Sequence, residues 1–199
     1  MTPVGVLNFP VLFEPKGNQQ NPQQDPRFSG MLLFDSVGVA TTAYADLSQE
    51  IMQAVRDKWH SKADDENFIK RLRFPIRAAS EKDYEGFEDG EKFISAWCKG
   101  TDAPPGVVDL DRQPLGKADV WAGQQARFSV RPFAYDSNGN MGVALGLNHV
   151  QIVNQDMPRL DGRQSADKAF GDADNSQLVQ MGIGTSAPAT GGGAGKLPF

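Results

Sequence analysis

The sequence predicts a mainly β domain, a small barrel of short strands with one inserted helix, followed by a flexible tail. Three observations carry that expectation. Segments up to Val153 repeatedly alternate apolar and polar residues with period two. One stretch, from Asp46 to about Trp59, instead repeats its apolar residues at helical spacing. After Val153 the periodicity fades into Gly, Ala, Ser and Asp, with GGGAG at 191–195.

Taken in order, Val4 to Phe13 alternates loosely around Pro10, and a residue without an N–H predicts an edge strand there. Lys16 to Pro26 is loop by composition. Arg27 to Asp35, RFSGMLLFD, is a second strand in which Gly30 marks a bulge. Asp46 caps the helix, and Leu47, Ile51, Ala54 or Val55, and Trp59 form a stripe that reads as core. Ser61 to Lys70 is polar and continues helical or frays. Arg73 to Arg77, RFPIR, is short and extended, with Phe74 and Ile76 on one side and the arginines on the other. Ser80 to Lys92 is an acidic, solvated loop. Phe93 to Lys99 alternates with Phe93, Ser95, Trp97 and Lys99 facing one way, and Pro104-Pro105-Gly106 breaks the chain before the short strand Val107 to Leu110.

The longest signal is Val120 to Val153. Ala122, Ala126, Phe128, Val130 and Ala134 fall on one face, and Trp121, Arg127, Arg131, Phe133 and Tyr135 on the other. Asn138-Gly139 tolerates positive φ and predicts the turn of a long hairpin. Roughly seven strands with a helix after the second or third is the element order of an oligonucleotide-binding (OB) barrel elaborated by loops, with an open β sandwich as the alternative. The expected division is an OB-fold-like domain over residues 1–155 and a flexible tail over residues 156–199, disordered from about Asp156.

The net charge of -5 opposes indiscriminate polyanion binding, but the acids are unevenly placed. Residues 46–92 hold twelve acids and nine bases, whereas residues 93–154 hold five of each, so the hairpin region is locally neutral. Cys98 is the only cysteine, which rules out an intramolecular disulfide and a cysteine-based zinc site and fits a reducing compartment. Asn8 and Pro10 interrupt the apolar N-terminal residues and no basic region precedes them, so no signal peptide is expected. No run is long enough to predict a membrane span.

No catalytic residue, metal or cofactor is expected. His60 and His149 stand far apart without ligand spacing, and no G-x-S-x-G elbow is present. Gly191 to Lys196 fails as a phosphate loop, because Leu197 follows Lys196 where a hydroxyl residue is needed. Asp109 and Asp111, with Asp102 and Asp119 nearby, could hold a divalent ion for phosphodiester hydrolysis, so a metal-dependent nuclease is the enzyme alternative. Their bland reading is that of turn acids beside a short strand. A module that binds only other proteins is the third reading.

The outward face of the hairpin carries the positive case. Single strands are held by rings on which bases stack and by cations that track phosphates. Trp97, Trp121, Phe133 and Tyr135 supply rings; Arg73, Arg77, Lys99, Arg127 and Arg131 supply charge. Both tryptophans also fit a core, and a bulge at Gly123 would turn Trp121 inward without moving Arg127 to Tyr135 off their face.

These segments, RFSGMLLF, the helix after it, RFPIR, VVDLDRQPL leading into VWAGQQARFSVRPFAY, and NMGVALGLNHVQIV, resemble a family of tailed-phage single-stranded DNA-binding proteins over residues 4–155. The most specific pieces are Trp121 to Gly123 ahead of a strand ending in FAY, and Gly-Leu-Asn-x-Val-Gln at Gly146 to Gln151. The resemblance implies an OB barrel and nonspecific binding of single-stranded DNA in phage replication, recombination or repair, in the cytoplasm of the infected host. The end of the chain, Leu197-Pro198-Phe199 behind a glycine linker, is similar to the tip by which bacterial single-stranded DNA-binding proteins dock onto replication and repair enzymes. Lys196 stands where that pattern expects an acid.

Overall fold

Strands whose alternate side chains are apolar must pack that face against something, and here they pack against one another. The computed structural model describes residues 1–18, 21–82, 84, 87–137 and 139–160. In chain order the elements are β1 (Gly5–Lys16), β2 (Arg27–Phe34), α1 (Ser36–Val39), α2 (Thr42–Trp59), α3 (Glu66–Ile69), β3 (Ile76–Ala78), β4 (Lys92–Lys99), β5 (Gly106–Val108), β6 (Gln125–Ser137) and β7 (Asn140–Asn154). Five strands close in the order β1-β2-β4-β7-β6-β1, with β3 added outside β4 and β5 outside β7. The ring closes through a parallel contact between β4 and β7, where Ala96 faces Leu145 and Trp97 faces Gly146. That closure decides between the two expected architectures in favour of the OB-like barrel over the open sandwich.

The inward residues form one core of Leu7, Leu32, Ile94, Phe128, Leu145 and Ile152, and α2 adds Leu47, Ile51 and Val55 to it. The helical stripe is therefore core, as its spacing suggests. The helix starts earlier than the expected cap at Asp46, because the Thr41 hydroxyl accepts the Tyr44 N–H at 3.3 Å and so satisfies a first-turn donor.

One local expectation is corrected. β1 is not simply an edge strand: Gly5 and Val6 pair with β6 as well as leading into β2, and only its later part lies on β2 alone. Pro10 sits where the β1–β2 register shifts, between Asn8 and Val11, so its missing N–H falls in the irregularity. Against β1, where the pairing passes from Asn8–Met31 to Val11–Ser29, the expected irregularity is present with Phe9 and Pro10 opposite Gly30; against β4 the register is unbroken at Gly30, which faces Ala96. A Cβ there would lie 2.8 Å from Cζ of Phe128, so the residue makes room for that ring.

The hairpin forms as expected, with Ser137 facing Asn140 across a two-residue turn and Gly139 at φ +80°. β7 carries two extra residues: Asn148, because Ser129 faces His149 while Val130 faces Leu147, and Val153, because Gln125 faces Asn154 while Ala126 faces Ile152. After β7 the chain folds back onto the loop before β6, where the Leu160 N–H donates to the Ala122 carbonyl at 2.9 Å. Residues 161–199, including Leu197, Pro198 and Phe199, lie outside the described residues. Among the described residues no helix is long and apolar enough to cross a membrane.

Candidate nucleic-acid interface

The outward side of β7 is the floor of a trough because its alternate residues there are small: Gly142, Ala144 and Gly146. Cross-strand register places Tyr135, Phe133 and Arg131 of β6 opposite these three residues. On the other flank, β4 presents Trp97 beside Gly146. Trp97 and Phe133 meet edge to face across the trough, with ring centroids 5.9 Å apart. This is the arrangement that the alternation of β4 and β6 implies, and it makes a shared aromatic centre out of two distant segments.

Trp97 divides the trough into two grooves. One, of about 750 Å³, runs past Lys99, Arg131, Phe133 and His149. The other, of about 880 Å³, runs past Arg27, Arg73, Arg77 and Tyr135. A third recess of about 500 Å³ shares Ser129 and His149 with the first and carries Arg112 and Arg127 onward. The basic side chains lining the three are Arg27, Arg73, Arg77, Lys99, Arg112, Arg127 and Arg131, against two acids, Asp102 and Glu81. A chain of net charge -5 thus presents a strongly basic band along one face.

Each cation is held differently. Arg73 is exposed but its backbone is fixed: its N–H donates to the Met141 carbonyl at 3.0 Å and its carbonyl accepts the Val143 N–H at 2.9 Å. That contact requires Gly142, since a Cβ there would come within 2.3 Å of the Arg73 carbonyl oxygen and 2.9 Å of the Tyr135 hydroxyl. Gly142→Ala is therefore expected to displace Arg73 and Tyr135 and to cost roughly 1–3 kcal/mol, the usual range for overpacking. Denaturant titration checks the stability, and an unchanged midpoint would contradict the close approach.

Arg77 donates through Nε and Nη2 to Glu81 Oε2, at 2.8 and 2.6 Å. Arg77 in turn holds the exposed Glu81 carboxyl below its ordinary range, with the Ala78 N–H adding to the effect. Arg127 donates to Gln151 Oε1 at 2.8 Å, and Gln151 passes the constraint on to the Asp109 carbonyl at 2.8 Å. Arg131 and Lys99 are exposed.

Trp121 is placed elsewhere. β6 begins only at Gln125, so the strand alternation does not reach it. Gly123 adopts φ +110°, and Trp121 turns to donate its indole N–H to the Met157 carbonyl at 3.1 Å, under the guanidinium of Arg159 at 4.4 Å. It lines none of the three grooves.

The structure adds three residues to those expected. Arg27 lays its guanidinium 3.6 Å over the Trp97 ring. His149 accepts the Gly106 N–H on Nδ1 at 3.2 Å, which leaves Nε2 as the nitrogen free to face the groove. Arg112, at φ +64°, extends the band beyond Arg127.

Of the two carboxylates considered first for metal binding, that of Asp109 is engaged in a turn, where it accepts the Gln113 N–H at 2.8 Å; Asp111 joins the turn through its backbone carbonyl, which accepts from the Gln113 side-chain amide at 3.4 Å. Among the described residues no three His, Cys, Asp or Glu side chains gather into a metal site.

Over residues 4–179 the sequence matches the profile of a family described as Enterobacter phage Enc34, ssDNA-binding protein. The chain belongs to this family. Among solved structures it is similar to the single-stranded DNA-binding protein from bacteriophage Enc34 in complex with ssDNA, with 16% identity and a TM-score of 0.61, covering 78% of this chain and 86% of that one. A second structure of the single-stranded DNA-binding protein from bacteriophage Enc34 matches at 18% identity and TM-score 0.60, over 84% of this chain and 87% of that one. Gp2.5, a single-stranded DNA-binding protein encoded by bacteriophage T7, matches at 14% identity and TM-score 0.53, over 82% of this chain and 96% of that one. At such identities these likenesses speak for the fold, which is the OB-like barrel described above. No curated protein matches the chain.

Proposed function

We propose that the chain is a nonenzymatic binder of single-stranded DNA, which it holds without sequence preference along the trough between β4 and β6. The observation that carries this reading is the Trp97–Phe133 centre with basic grooves on both sides. Every base has a π face, so aromatic platforms tolerate any sequence, and flanking cations take the phosphates. Membership of the Enc34 single-stranded DNA-binding family supports it. The ligands we assign are Trp97, Phe133 and Tyr135 for bases, and Arg73, Arg77, Lys99, Arg127 and Arg131 for phosphates, joined by Arg27. Trp121 we now read as a packing residue. We place its action inside the infected bacterial cell, in its cytoplasm, during phage DNA replication, recombination or repair, a reading the family supports. Residues 1–155 carry the binding, and in the tail, residues 156–199, the Leu197-Pro198-Phe199 tip is the candidate dock for a replication or recombination enzyme.

Titrating intrinsic tryptophan fluorescence with oligo-dT, with and without magnesium and with the products run on a gel, tests the reading. Quenching without cleavage is expected, because Trp97 lies in the trough. Magnesium-dependent cleavage that disappears in Asp109→Asn/Asp111→Asn would establish the nuclease instead, and neither signal would leave a protein-only module. Affinity should fall with salt at a log-log slope of about -0.7 per neutralised phosphate, so roughly three to five contacts give a slope of about -2 to -3.5. A slope near zero would leave the basic band without a role.

A further inference from the structure

The outward face of the barrel does not stop at the grooves. Leu33 of β2 faces Phe93 of β4 on one side and Val6 of β1 on the other, so these residues continue the same surface across the sheet. A chain of rings crosses it. Phe93, which lines the Arg77 groove, lies 5.9 Å from Phe87; Phe87 lies 5.3 Å from Tyr84, and Tyr84 lies 5.1 Å from Phe9. The first ring is buried under the guanidinium of Arg77 at 5.4 Å, and the last two are open, Tyr84 at 41% and Phe9 at 54% exposure. The Lys82 ammonium stands 5.6 Å over the Tyr84 ring, which keeps a cation beside the open end of the row.

Phe9 has a further peculiarity. Its φ is +48°, a conformation that bulky L residues rarely adopt, yet its ring faces solvent. Packing in the core does not explain a ring held there, and backbone outliers of this kind concentrate where a surface has a task.

We propose that the single strand leaving the trough past Arg77 continues over this row and stacks about two further bases on Tyr84 and Phe9. The inference rests on the single-strand reading of the trough. The occupant follows from continuity: the row begins at a ring that lines the DNA groove, and its cations, Arg77 and Lys82, recur beside the rings as phosphate partners must. The trough is then the short-strand site, and the row adds affinity only for strands long enough to reach it.

The test compares dT oligomers of about 4 and about 16 nucleotides, the two ends of the range a single OB barrel covers, on the full chain and on Phe9→Asn/Tyr84→Ala. Asn accepts the positive φ, so the first substitution removes the ring without straining the backbone. The expected result is unchanged affinity for the short oligomer and a loss of at least about 5-fold for the long one, one base–ring contact at the lower end of its range. Equal affinity for the long oligomer overturns the proposal, as does an equal loss on both lengths. A changed sedimentation coefficient with unaltered long-oligomer affinity also overturns it and makes the patch a contact between copies. Should that variant fold poorly, Phe9→Gly with Tyr84→Leu keeps apolar bulk at the second position, and the same length-dependent loss is required of it. Arg131→Ala in parallel separates the two readings: if it weakens neither oligomer, the trough itself is not the site, whatever the row does.

Discussion

Phe128→Ala is expected to destabilise the protein by about 3–5 kcal/mol, a large share of the roughly 5–15 kcal/mol that holds a typical domain folded. The ring is fully buried, at 0% exposure, on the inward face of β6. Its space is made by an absent side chain, since a Cβ on Gly30 of β2 would stand 2.8 Å from the ring's Cζ. The same residue anchors the chain's start: its N–H donates to the Thr2 hydroxyl at 2.8 Å and its carbonyl accepts the Thr2 N–H at 2.9 Å. A ring bridging β2, β6 and β7 cannot be replaced by relaxation of one element, so most of the cavity should persist. For a domain of this size the melting temperature should drop by roughly 6–20 °C. The ring points away from the trough, so at temperatures where the variant is folded its oligo-dT affinity should match the wild type. A melting point within about 2 °C of wild type, the shift expected of no more than about 1 kcal/mol, would show that β6 is not oriented as described.

What the sequence makes legible here is local alternation. β6 reads correctly because its period holds from Gln125 to Tyr135, and a one-residue slip would have exchanged Phe128 for Arg127 in the core. Phe93 to Lys99 reads correctly for the same reason. The trough is another matter. Gly142, Ala144 and Gly146 look like part of an apolar run, and they become a floor only once β4 pairs with β7 in parallel, a contact between residues about fifty positions apart that no local pattern encodes. Arg27 likewise reaches Trp97 through the register of β2 on β4, in which Ser29 faces Trp97. Its signal was present, since Arg27 and Ser29 alternate with Phe28 and Gly30, but the run RFSGMLLF reads first as core. Trp121 takes the alternative that Gly123 leaves open in the sequence: the φ of +110° there ends the alternation and turns the indole toward Met157.

Phe133→Ala is expected to weaken oligo-dT binding by about 1–3 kcal/mol, the range for removing one base–ring contact, or roughly 5- to 150-fold. Phe133 lies on β6 opposite Ala144, half-buried, with its other partner the edge of Trp97 at 5.9 Å. Removing it also takes away that edge-to-face contact, worth about 0.5–1.5 kcal/mol, so stability should fall modestly and far less than for Phe128→Ala. Trp97 would keep its cover of Arg27 on one face but lose its neighbour across the trough, so the fluorescence of the free protein should change along with the affinity. The cations are untouched, and the salt slope should therefore stay near its wild-type value while the intercept drops. That combination distinguishes a lost stacking platform from a lost phosphate contact: Arg131→Ala, by contrast, should reduce the slope's magnitude by about 0.7. If Phe133→Ala instead melts as early as Phe128→Ala and its folded fraction binds as tightly as wild type, the ring is core and the trough has no platform on β6.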